Sequence, residues 1–151
     1  MEGLKMSLFD KPSLLTRIAV GKLVGMGFGL IGFIALPFVV PDAPMMFRLA
    51  ILLWYTTVGA IIGVFGVFNY HPLLKLPMPW WFRSCWMGAW MNLILVLFIY
   101  DTLAAMMLGY FGENGLFQSP YWLVLEGAVI GLAIGFFATK YGGEGKETLE
   151  H

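Results

Sequence analysis

Four long apolar runs, separated by short breaks rich in proline, asparagine and charge, dominate the chain. The first covers about residues 23–40, and its helix is expected to begin near Ser13, an N-cap type of residue just after Pro12. Pro37 is expected to kink or end it, and the turn Pro41-Asp42-Ala43-Pro44 follows. The second covers about residues 46–68, carries no charge after Arg48, and is closed by Asn69-Tyr70-His71-Pro72. The third covers about 84–111 with one internal charge, Asp101. The fourth covers about 119–139 with one internal charge, Glu126, and has Pro120 in its first turn. A helix needs about 20 apolar residues to cross hydrocarbon, and each run reads as one crossing. The expected fold is all-α: a polytopic membrane protein with four transmembrane helices in an antiparallel bundle, residues 1–148 forming a single domain. The short turn Gly112-Glu113-Asn114-Gly115 makes the third and fourth spans a hairpin.

Composition agrees. Hydrophobic residues make up 60% of the 151 and charged residues only 12%, against about 25% charged in a soluble domain. The placement of the charges predicts orientation. With the N-terminus inside, Lys5, Lys11, Arg17, Lys22, Lys75, Arg83, Lys140 and Lys146 fall on the cytoplasmic side, and only Arg48 falls outside. That bias places both termini in the cytoplasm and opposes a dual-topology dimer. The opening segment reads as retained rather than as a cleaved signal, because its charges are dispersed and no small-residue cleavage site follows. Leu4, Met6 and Leu8 suggest an interfacial stub. Leu149-Glu150-His151 reads as an affinity-tag remnant. The pattern fits a bacterial inner membrane.

The aromatic residues mark two interfaces. Pro77-Met78-Pro79-Trp80-Trp81-Phe82 reads as an anchor at the cytoplasmic headgroups, and Tyr110, Phe117, Tyr121 and Trp122 as the outer belt.

Several chemistries are excluded by what is missing. Outside the tag-like end, His71 is the sole histidine, and Cys85 is the sole cysteine. These numbers oppose histidine-rich metal sites, bis-histidine haem and thiolate clusters. No GxSxG, HExxH or phosphate-cradling glycine loop is present, so neither an enzyme nor a cofactor is expected. Balanced charge gives no field for nucleic acid.

Glycine spacing carries the packing signal. Gly21, Gly25 and Gly29 recur every four residues, as do Gly127, Gly131 and Gly135, with Gly59 and Gly63 between them in the chain. Four residues return to nearly the same helix face, leaving a groove that admits another backbone. The expected use is packing within one bundle, with packing between protomers as the alternative.

Asp101 and Glu126 are the two acids within the apolar runs. Charged Asp or Glu in a bilayer is expensive and usually faces protein, water or a ligand. Counted from Asn114, Asp101 lies thirteen residues before and Glu126 twelve after, so a hairpin sets them at similar depth. Thr56 and Thr57 could add hydroxyl ligands, and Trp54, Tyr55, Trp90 and Tyr100 could stack on an organic cation. Asn92 lies opposite Asp101 on a continuous helical wheel and is assigned to another helix contact. The expected function is an oligomeric transporter or channel for protons, cations or a small cationic solute. The alternative is a non-catalytic assembly subunit of a larger membrane complex, its glycine faces meeting a membrane-protein partner.

Overall fold

The computed structural model describes residues 12–149, so the stub at Leu4–Leu8 and the last two residues of the tag-like end lie outside it. The described chain is all-helical: α1 (Leu14–Val39), α2 (Met45–Phe65), α3 (Trp80–Phe98), α4 (Tyr100–Phe111) and α5 (Trp122–Gly142), then a short 3-10 turn at Lys146–Leu149. The one extended feature among the described residues is an isolated bridge between Tyr70 and Pro77 in the α2–α3 connection. Helices α1, α2, α3 and α5 are each long and apolar enough to cross a membrane.

Helix α1 starts where its cap predicts. Ser13 is extended and its Oγ accepts from the Thr16 amide at 3.3 Å. Pro37 is accommodated two residues before the end of α1.

The third run departs from expectation. It does not form one helix over 84–111. Helix α3 stops at Phe98, Ile99 takes a non-helical conformation (φ −126°, ψ 32°), and α4 begins at Tyr100. A continuous helix over that run would be about 42 Å long at about 1.5 Å per residue, against a hydrocarbon core of about 30 Å. The residues beyond Phe98 form a separate segment. Tyr100 meets Tyr121, just before α5, in a tilted ring contact with centroids 5.7 Å apart, so α4 starts level with the first residues of α5. Asp101 thus lies outside the four membrane-length helices, in the first turn of α4, where a negative charge favours the helix N-terminus.

Packing follows the glycines. A Cβ at Gly21 would strike the Gly59 carbonyl, one at Gly25 the Tyr55 carbonyl, and one at Gly29 the Leu52 carbonyl, all inside the 3.0 Å that real Cβ atoms respect. Gly63 meets Arg17 in the same way, so partner numbers fall along α2 as they rise along α1. On the other pair, Gly127 meets Gly88 and Asn92, Gly131 meets Ser84 and Gly88, and Gly135 meets the Ser84 side chain. The two glycine pairs close on a core of Tyr55, Val58, Ile62, Ile130 and Ile134, with Val24, Phe28 and Met91 packed against it.

One end is knitted by two buried arginines. Arg17 continues the α1 glycine face one turn back. Its side chain is fully buried, its Nε donates to the Gly63 carbonyl at 2.9 Å, and its Nη1 donates to Thr139 Oγ1 and to the Gly143 carbonyl. Arg83 donates to the carbonyls of Phe68 and Met78 at 2.9 and 3.0 Å and pairs with Glu144 at 3.0 Å. Carbonyls at helix C-termini carry partial negative charge, so guanidinium groups fit this end. The Ser13 amide also donates to Gly142, and the Gly145 amide to Gly66. This basic end gathers the start of α1 and α3 and the finish of α2 and α5.

The α2–α3 connection exposes Leu73, Leu74 and Leu76. His71 Nδ1 accepts from the Leu73 and Leu74 amides there, a turn-stabilising role. Phe82, Trp86 and Trp90 stack along the exposed face of α3 with centroids 6.4 and 6.1 Å apart.

The glycine contacts yield a direct test. Gly25→Val and Gly131→Val each destabilise the protein by about 1–3 kcal/mol through overpacking, read as unfolding in mixed micelles. Gly27→Val, where nothing lies within 4 Å, stays near wild type. Equal losses at Gly25 and Gly27 would contradict close backbone approach as the packing device.

Candidate functional site

At the end opposite Arg17 and Arg83 the helices leave a groove of about 620 Å³. Its walls are Leu36 and Val39 from α1, Ile51 and Tyr55 from α2, and Trp122, Glu126, Val129 and Ile130 from α5. Helix α4 supplies Leu103, Met106, Met107 and Tyr110. Those four positions recur at i, i+3, i+4 and i+7, one stripe of a helix, so α4 is an amphipathic roof. Its opposite side leaves Asp101, Thr102, Ala105 and Gly109 exposed. Trp122, Phe117 and Phe111 run in ring contact at 5.0 and 5.7 Å beside it. Tyr110, Phe117 and Trp122, read from sequence as an interfacial belt, therefore also build a cavity wall.

Glu126 is the one charged residue among those lining the groove. A polar chain reaches it from two other helices. Trp54 Nε1 donates to Asn92 Oδ1 at 3.1 Å. Asn92 Nδ2 donates to the Leu123 carbonyl at 2.7 Å and to the Tyr55 hydroxyl at 3.2 Å. The Tyr55 hydroxyl in turn donates to Glu126 Oε1 at 3.3 Å. Asn92 is completely buried, and the described residues leave no buried side-chain polar atom without a partner. In a low-dielectric interior such a fully satisfied chain is rigid, because any member leaving it strands another. The relay from Trp54 through Asn92 and Tyr55 ends on the carboxylate, while the second Asn92 bond anchors it to the Leu123 carbonyl. One oxygen of Glu126 is held by Tyr55, while the residue stays exposed at the groove.

The structure separates the residues singled out by sequence. Glu126 lines the groove. Asp101 is exposed and borders a different, smaller depression of about 230 Å³ formed by Leu97–Thr102. The two acids share no cavity, because the break at Ile99 ends the hairpin register that set them side by side. Thr56 and Thr57 turn their hydroxyls back onto their own helix, donating to Leu52 and Leu53 at 2.8 Å each, a common habit of helical threonine. Neither lines the groove. Tyr55, their neighbour, does. Tyr100 and Trp90 lie away from Glu126, the first bordering the smaller depression and the second in the exposed stack on α3. Asn92, assigned from sequence to an unrelated helix contact, belongs to the Glu126 chain. Its signal was present: Ser84, Gly88, Asn92 and Val96 recur every four residues and are all buried, forming the stripe that faces the α5 glycines. No group of three or more metal-ligating side chains occurs among the described residues.

Fold and site define a class: an all-helical protein with four membrane-length apolar helices and an apolar groove holding a single carboxylate. The chain shows no detectable match to a family model, a curated protein or a solved structure.

The polar chain predicts a graded response. Asn92→Leu removes partners from Trp54 and Tyr55 together and destabilises by about 1–2 kcal/mol, given about 0.6 kcal/mol per interhelical hydrogen bond in a membrane protein. Tyr55→Phe loses about half as much. Thr56→Val, whose hydroxyl serves only its own helix, changes unfolding in mixed micelles by less than either. A Thr56→Val loss matching that of Asn92→Leu would contradict this account.

Proposed function

We propose that this chain is an integral membrane protein that binds a small cationic solute at Glu126 and carries it across the bilayer, working as a homo-oligomer. In this reading the helices form an antiparallel bundle with both termini cytoplasmic, and the arginine-rich end faces inward, following the positive-inside bias. The groove then lies toward the outer face. It is a binding protein and carrier rather than an enzyme.

The observation that carries the reading is one carboxylate, oriented by Tyr55 and Asn92, on the wall of a large apolar groove. An isolated acid at this depth needs a counter-charge or a ligand. Among the described residues the basic side chain nearest to an acid is Arg83, which serves Glu144 at the other end. The dimensions choose among cations. Calcium takes about 6–8 oxygen ligands, whereas Glu126 is accompanied by one phenol. A proton requires no cavity of about 620 Å³. An organic cation uses both the charge and the apolar volume, and aromatic faces at Tyr110 and Trp122 add cation–π attraction.

Purified protein in proteoliposomes should take up labelled tetraphenylphosphonium. Glu126→Gln should reduce uptake at least tenfold, and Glu126→Asp should retain part of it. Asp101→Asn, altering an acid outside the groove, should leave uptake near wild type. Uptake unchanged by Glu126→Gln would overturn the reading.

A further inference from the structure

The groove has an unusual mouth. Leu125 and Val129 line it, yet they are 56% and 62% exposed. Both sit on the side of α5 that turns outward, one residue before and three residues after Glu126. A wall that is also outer surface means the groove opens sideways, along the flank of the helix, rather than only at its end. In a bilayer that flank meets acyl chains. The interior continues the apolar surface inward, through Ile51 and Ile130 to the core and beneath Met106 and Met107 of the roof. Methionine side chains are flexible and polarisable, and they adapt to guests of varied shape. Helix α4 that carries them is bounded by two non-helical residues, Ile99 at one end and Gly112 at the other, the latter at φ 77°. It packs mainly on the end of α3. The volume, about 620 Å³, falls within the range of about 300–1,000 Å³ typical of small-molecule sites.

From this geometry we infer that the ligand is a monocationic amphiphile, which enters from the lipid through the Leu125–Val129 mouth, sets its charged head against Glu126 and lays its apolar tail beneath α4. The inference rests on the assignment of Glu126 as counter-charge. It adds the chemical class of the ligand and its route. A water-soluble cation of the same head would reach the carboxylate but leave the apolar volume unused. A neutral amphiphile would fill the volume but leave the carboxylate without a counter-charge. Only a ligand with both parts satisfies the whole site.

The test is equilibrium binding to the full chain in phosphatidylcholine nanodiscs, corrected against empty nanodiscs, with two probes sharing one head. Dodecyltrimethylammonium should bind saturably, and tetramethylammonium at least 100-fold more weakly. Glu126→Gln should weaken the dodecyl probe at least tenfold. Val129→Trp, placed at an exposed position of the mouth, should slow association of the dodecyl probe at least tenfold in stopped-flow mixing, because an obstructed route changes rates rather than the equilibrium constant. Tetramethylammonium binding within threefold of the dodecyl probe would overturn the amphiphile, while leaving the Glu126 reading intact if Glu126→Gln still abolished it. An association rate indifferent to Val129→Trp, with affinity still sensitive to Glu126→Gln, would overturn lateral entry alone. Saturable dodecyl binding that survives Glu126→Gln would overturn both.

Discussion

Close backbone approach at glycine is the constraint on which the rest of this structure depends. Along α1 and α2, and again along α5 where it faces Gly88 of α3, glycines spaced by four lack side chains that would otherwise strike the facing helix. Lipid tails are as apolar as leucine, so helices in a bilayer gain little from burying leucine against leucine; they gain from packing and from polar contacts at short range. Glycine supplies the first and makes the second reachable. With the α3–α5 backbones this near, Asn92 of α3 can donate to the Leu123 carbonyl of α5. From there it also meets the Tyr55 hydroxyl and the Trp54 indole of α2. The two tight pairs are thereby joined through one amide.

The two ends of the molecule are held differently, and the site follows from that difference. At the basic end, Arg17 bridges the finish of α2 and α5 through their carbonyls, and Arg83 gathers the α2–α3 connection with Glu144. At the opposite end Arg48 ties only α1 to α2, its Nε donating to the Phe33 carbonyl at 3.0 Å and its guanidinium lying over the Phe33 ring. There the walls stand apart, and short α4 covers the gap with a stripe of leucine, methionine and tyrosine. Closed packing at one end and a roofed groove at the other place Glu126 where an apolar guest can reach it. The carboxylate keeps its orientation because its hydrogen-bond donor, Tyr55, is itself buried and fixed by Asn92.

Much of this was legible in the residues, and the failures share a cause. Long apolar runs foretold four membrane-length helices, and a serine after a proline foretold the α1 cap, because hydropathy and capping are local properties. The break at Ile99 was not legible: neither proline nor glycine marks it, and apolar periodicity passes straight through. The run exceeds the length that one crossing needs, but nothing in its pattern says at which residue it breaks. Two errors followed from that one. A helix drawn through the break sets Asp101 at the depth of Glu126 and reads Asn92 by its angle to Asp101 on a wheel that does not continue. Judged instead against Ser84 and Gly88, four and eight residues back, Asn92 falls on the stripe facing α5. The same four-residue register, extended backward from Gly21, would have placed Arg17 on the buried face of α1 rather than among the solvated charges. Thr56 and Thr57 could not be separated from Tyr55 by composition, since back-bonding to their own helix shows only in three dimensions.

In the proposed mode of binding a cationic amphiphile lies between Glu126 and the roof helix. Photolabelling tests it most directly. A monocationic amphiphile with a diazirine on its tail, irradiated with the protein in nanodiscs, is mapped by peptide mass spectrometry. The account predicts labelling at Met106, Met107 or Trp122 that is lost in Glu126→Gln. Labelling confined to the exposed ladder of Phe82, Trp86 and Trp90, and unchanged by Glu126→Gln, would contradict it.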